Sequence, residues 1–244
     1  MSGLSALFGL TALLYAAVGF GGGSTYTALL LLGGVAVTLV PSISLACNII
    51  VVTGGTIRFA RAGVMPWASA LPLIVVAAPL AFLGGLTPVK QGVLVTLLGL
   101  SLLASALALL LQPQAARRIE LSPKLLLPVA AGLGYLAGVV GIGGGIFLAP
   151  ILHLIRWAEA RAVAATASLF ILVNSLFGLT GQFIKGKGGA MIVAVADHWP
   201  LLVAVLIGGA IGTQLAVRTG PATLIRRLTA LLVGFVAVRL LFGF

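Results

Sequence analysis

The chain has 244 residues, 61% of them hydrophobic and only 7% charged, with a mean hydropathy of +1.28. That composition excludes a soluble globular domain and predicts an integral membrane protein built from apolar spans. A net charge of +11 does not point to nucleic acid: the basic residues are scattered over short inter-span loops without interleaved aromatics, as orientation in a membrane requires. The bilayer, including its anionic headgroups, is the expected use of the surplus.

Apolar segments run over 4–19, 24–39, 42–57, 66–86 and 91–111, then over 125–140, 146–155, 162–184, 199–217 and 227–243. Between the two sets lies a polar connector, 112–124, carrying Arg117, Arg118 and Glu120. We therefore divide the chain into a first membrane repeat (1–111), a cytoplasmic connector (112–124) and a second membrane repeat (125–244). The halves echo each other. Gly19-Phe20-Gly21-Gly22-Gly23 matches Gly141-Ile142-Gly143-Gly144-Gly145, and Arg61-Ala62-Gly63 matches Lys187-Gly188-Gly189. Asn48 follows Ser42 by six residues, as Asn174 follows Ser168, which predicts equivalent places for the two amides. Hydrophobicity continues to Phe244, so a cleavable signal before a soluble body is not expected.

Loop charge decides between topologies. If each glycine-broken pair made one continuous crossing, the basic residues would divide 8 against 6. If each pair were a hairpin returning to its own side, they would divide 10 against 4, in far better accord with the positive-inside rule. Length agrees, since a 16-residue helix rises only about 24 Å, against a hydrocarbon core of roughly 30 Å. The predicted fold is an all-α polytopic membrane protein of two inverted repeats. Each is a glycine-tipped re-entrant helical hairpin plus three transmembrane helices, with both termini outside.

Paired helix breaks in repeated halves point to a transporter's binding site. A helix start offers unpaired N–H groups and a partial positive charge, so two starts aimed at one point form an anion site. Glycine lets the backbone approach a ligand without a side chain in the way. The candidate substrate-binding residues are Gly21, Gly22, Gly23, Ser24, Thr25 and Asn48 in the first half, with Gly143, Gly144, Gly145, Asn174 and Gln182 in the second. Hydroxyls and amides can donate to the oxygens of an oxyanion. The plainer alternatives are that the glycines only permit close packing, that the amides only bond between helices, and that the hydroxyls bond their own backbone.

Catalysis is not expected. The acidic residues Glu120, Glu159 and Asp197 all fall in connecting loops, and nothing places His153 or His198 beside a nucleophile. The single cysteine, Cys47, excludes an internal disulfide and a cysteine-based metal site. No cofactor and no metal are called for; the expected partners are a small anion and the lipid bilayer. With no carboxylate inside a span as a proton relay, uniport or anion exchange is as good an expectation as proton coupling.

The glycine-rich motif at an early helix break, repeated in both halves, resembles that of the TauE/SafE family of sulfite exporters. Gly138 to Leu152 (GVVGIGGGIFLAPIL) carries the resemblance best, and the Ala/Thr/Ser-rich span from Ala162 to Gly181 fits too. The resemblance implies a secondary transporter of the prokaryotic inner membrane that moves sulfite or an organosulfonate by alternating access of the two halves. The first copy departs from the family pattern at Phe20 and at Ser24-Thr25-Tyr26, more polar than the apolar run expected there. A channel-like pore for small inorganic anions and a membrane scaffold without substrate are the competing readings.

Overall fold

The computed structural model describes residues 2–111, 123–186, 188–219 and 223–242; most of the predicted connector, 112–122, lies outside the described residues. The first half holds α1 (Ser2–Ala16), α2 (Gly23–Leu32), α3 (Val40–Arg61), α4 (Trp67–Leu86) and α5 (Gln91–Leu111). The second holds α6 (Pro123–Val140), α7 (Gly145–Leu154), α8 (Ala160–Lys185), α9 (Gly189–Asp197), α10 (Trp199–Thr219) and α11 (Thr223–Phe242). The predicted all-α membrane fold is what the chain adopts. α3, α4, α8 and α10 are each long and apolar enough to cross a bilayer, and α5 and α11 run to 21 and 20 residues.

Two expectations need correcting. The arm predicted over 24–39 stops at Leu32, where Gly33 and Gly34, the latter at φ 78°, end the helix. The stretch 185–198, read as a loop, contains α9, so Asp197 ends a helix; nine residues are too few to register as a span.

Close contacts at glycines give the direction of every helix that frames the tips. A β-carbon on Gly9 would meet the Ala204 carbonyl and one on Gly212 the Leu13 carbonyl, so α1 and α10 run parallel. Gly209 lies against Val51 and Gly55 against Thr213, so α10 also runs with α3. α2 runs against them: Gly23 lies beside Asn48, while Thr27 hydrogen-bonds Ser44 at 3.0 Å. The chain therefore turns back on itself at the first glycine cluster. The second half repeats this. Gly134 and Gly138 sit on the carbonyls of Ala77 and Ala81, and Gly181 sits on that of Phe82, so α6 and α8 both run with α4. α7 runs against α8, Gly143 lying beside Ser175 and Gly145 beside the Ala167 carbonyl.

Helices at equivalent places in the halves cross antiparallel. Gly55 faces Ser168 where Gly178 faces Leu45, and Gly99 faces Leu241 where Gly234 faces Ala106. The chief packing partners follow the same exchange, α1 with α10 as α6 with α4, and α3 with α8. The packed bodies are thus not the two halves. They are one bundle of α1, α3 and α10 and another of α4, α6 and α8, each drawing helices from both halves and meeting along α3 and α8. Glycine and alanine line these seams because in a membrane helices gain from close backbone approach, not from removing side chains from water.

Candidate functional site

The hairpin tips sit at mid-height of the long helices. α2 and α7 have ten residues each and rise about 15 Å, half the hydrocarbon thickness. Each begins after a left-handed glycine, Gly22 at φ 92° and Gly144 at φ 77°, a conformation that would cost any residue with a β-carbon about 1–2 kcal/mol. Neither start has a side-chain cap. The first amides to bond back to those glycines are Tyr26 N and Phe147 N, leaving the earlier N–H groups of both helices to a different partner. Uncapped helix starts in a buried setting suit an anion.

Asn48, fully buried on α3, links the two tips. Its amide lies against Gly21 and Gly23 of the first tip, and a β-carbon on Gly143 of the second would stand 3.2 Å from its Nδ2 and 2.9 Å from Ser175 Oγ. The ring of Tyr26 folds back over Gly22, whose β-carbon would lie 2.8 Å from the tyrosine oxygen, because helical side chains lean toward the N-terminus. Among the described residues, the buried side-chain atoms with no hydrogen-bond partner are Tyr26 Oη, both amide atoms of Asn48, both of Asn174, and Ser175 Oγ. Three of these four residues border the tips. Buried polar atoms are nearly always paired, and each left alone costs about 1–3 kcal/mol. Their concentration at paired helix starts leaves donors and acceptors there that a polar ligand could satisfy.

The remaining candidates are distributed differently. Ser24 and Thr25 are buried, but both meet Tyr15 Oη, at 3.3 Å and 2.6 Å, so they brace α1 against α2. Tyr15→Phe is expected to lower stability by about 1 kcal/mol while leaving transport within twofold; a transport loss of tenfold would return Ser24 and Thr25 to the ligand. Gln182, on α8, is not among the closest neighbours of the tip glycines; its Nε2 donates to the Gly138 carbonyl at 3.2 Å, five residues before Gly143. Thr27 and Ser44 both donate to the Gly23 carbonyl at 2.8 Å and fix the first tip.

The predicted equivalence of Asn48 and Asn174 does not hold. Gly21 and Gly23 meet Asn48, whereas Gly143 and Gly145 meet Ile171, and Pro41 on Gly141 corresponds to Ala164 on Gly19. The exchange of halves takes Asn48 to Ile171; Asn174 lies a turn further along α8, and the closest neighbours of the tip glycines do not include it. The site is asymmetric, with an amide on one side and an aliphatic side chain on the other. Tyr15, Thr27, Ser44 and Ser175 are the participants that sequence reasoning passed over, all hydroxyl-bearing groups whose burial no residue pattern announces.

Among the described residues no group of three or more His, Cys, Asp or Glu side chains could hold a metal. The family described as "Sulfite exporter TauE/SafE" matches residues 4–240. A relative from Sinorhizobium fredii (strain NBRC 101917 / NGR234), described as "Probable membrane transporter protein y4hK", is 31% identical over 246 residues, covering 98% of this chain and 97% of its own. No solved structure matches.

Proposed function

Because this chain belongs to the TauE/SafE family and is a membrane transporter, we propose that it is a secondary carrier of small sulfur oxyanions, sulfite or an organosulfonate. One observation carries the reading: two uncapped glycine helix starts meet at the unpartnered amide of Asn48. The N–H groups of the tips hold the oxyanion, with Asn48, Ser175 Oγ and Tyr26 Oη as further donors. Dipoles in place of a buried arginine keep binding weak enough for release. The antiparallel crossing of α3 with α8 and of α5 with α11 supports an inverted repeat with re-entrant hairpins, and loop charge supports a connector on the cytoplasmic side of a prokaryotic inner membrane. Alternating access is then rocking of the α1–α3–α10 bundle against the α4–α6–α8 bundle about the α3–α8 contact, with the site between them.

The test is thermal stability of the purified protein against sulfite, sulfate, thiosulfate, taurine, sulfoacetate, acetate and chloride. A ligand that binds only the folded state at 100 times its Kd stabilises by about 2.7 kcal/mol, a rise of several degrees. We expect that rise with one sulfur oxyanion, and saturable flux with counterflow of the same anion in liposomes. No shift with any anion, together with conduction that does not saturate, would replace the carrier with a pore.

A further inference from the structure

Among the described residues, two cavities have a basic side chain in their walls. One, of about 500 Å³, contains Arg58, Gln214 and Arg218, but its wall on α10 is exposed, Ile211 at 55% and Leu215 at 40%, so it is an outward groove. The other, of about 250 Å³, runs inward from the ends of α4 and α8. Lys185 and Pro88 stand at its mouth, Thr38 and Pro41 along one wall, and Gln182 and Val139 at its inner end. That end abuts the second tip: Val139 is two residues before Gly141, Gly141 packs on Pro41, and Gln182 bonds the Gly138 carbonyl. Lys185 is exposed and gives one of its three N–H donors to the Thr87 carbonyl at 3.3 Å.

The same place in the first half is apolar. The exchange that takes Asn48 to Ile171 takes Gln182 to Phe59, Pro41 to Ala164 and Val139 to Ala17. Phe59, Ala164 and Ala17 are all apolar and buried, Phe59 and Ala164 within the apolar core, so the first-half place lacks the polar group that Gln182 brings to the second.

We propose that the Gln182–Lys185 cavity is a vestibule to the site on the face where α3 begins and α8 ends, where a small oxyanion docks before reaching the tips, and that apolar Phe59 at the equivalent place on the opposite face offers an anion no such station. This rests on the anion-carrier reading above. The path runs between packed helices, and the unpaired donors of Lys185 and the amide of Gln182 supply its polarity.

The test uses thiol labelling in detergent, with the native chain, whose one cysteine, Cys47, is fully buried, as the blank. Val139→Cys, and Thr38→Cys nearer the mouth, are treated with an anionic sulfonatoethyl methanethiosulfonate and with its cationic trimethylammonium counterpart. Both positions are expected to react, the anionic reagent gaining at least about threefold over the cationic one from local charge. Lys185→Glu reverses that preference, while Phe59→Cys stays unreactive. Unchanged preference in Lys185→Glu, or reaction at Phe59→Cys with none at Thr38→Cys and Val139→Cys, overturns the proposal. Labelling needs no transported ion, so failure of the sulfur-anion assay leaves this outcome readable, and the reverse holds too.

Discussion

Asn48→Ala is expected to cut transport about 10- to 100-fold, since a hydrogen bond to a charged partner is worth about 1.5–3 kcal/mol and each 1.4 kcal/mol is a factor of ten. The same substitution is expected to leave the melting temperature unchanged or to raise it. In the unliganded protein the amide is fully buried with neither atom bonded, so its removal ends a desolvation cost of about 1–3 kcal/mol that the lost packing of so short a side chain only partly offsets. Opposite signs for activity and stability are what separate a binding group from a structural one. If the amide instead bonded between helices, Asn48→Ala would lower both, and a parallel fall in melting temperature and flux would count against its role at the site. The check is flux in liposomes beside melting in detergent, on one preparation.

Gly138→Val is expected to prevent assembly, at a cost above about 3 kcal/mol, the upper end of ordinary overpacking. A β-carbon there would fall on the Ala81 carbonyl and 2.8 Å from Gly85 N, both backbone atoms that no rotamer change can move. α4 and α6 would have to part along the whole seam that Gly134 and Gly84 also share. Gly132→Val on the same helix supplies the control, because nothing lies within 4 Å of a β-carbon at that position. Size-exclusion chromatography should show aggregate for the first variant and the native peak for the second. Equal behaviour would mean that the α4–α6 seam is not held by close backbone approach.

Much of this architecture is readable from residues. The long spans declare themselves because a run of about twenty apolar residues matches the thickness of a bilayer. The glycine clusters do so because a helix broken at that depth must bury its freed backbone groups in protein or turn them to a cavity. The reversal at each tip is accessible from loop charge, since basic side chains resist translocation whatever the helices pack against. The pairing of the halves is not. Ser42 to Asn48 and Ser168 to Asn174 have identical spacing, yet the tip is the origin that counts: Asn48 lies 25 residues after Gly23, Ile171 lies 26 after Gly145, and Asn174 lies 29 after it. Turn length between α7 and α8 sets that register, and no local preference encodes it. The hydroxyls divide for a similar reason. Ser24 and Thr25 stand next to the tip in sequence, but Tyr15, a turn and a half before the break, reaches them first.

The interleaving of the two bundles also bears on how the protein comes into being. Gly9 of α1 finds its partner in Ala204 of α10, a stretch of chain that takes a ribosome roughly 10–40 s to make at about 5–20 residues per second. For that interval α1 waits in the lipid with its stripe of small residues open, a surface suited to any passing helix. The first helix to be made is therefore among the last to be packed, and its close backbone seam closes only once α10 has been inserted.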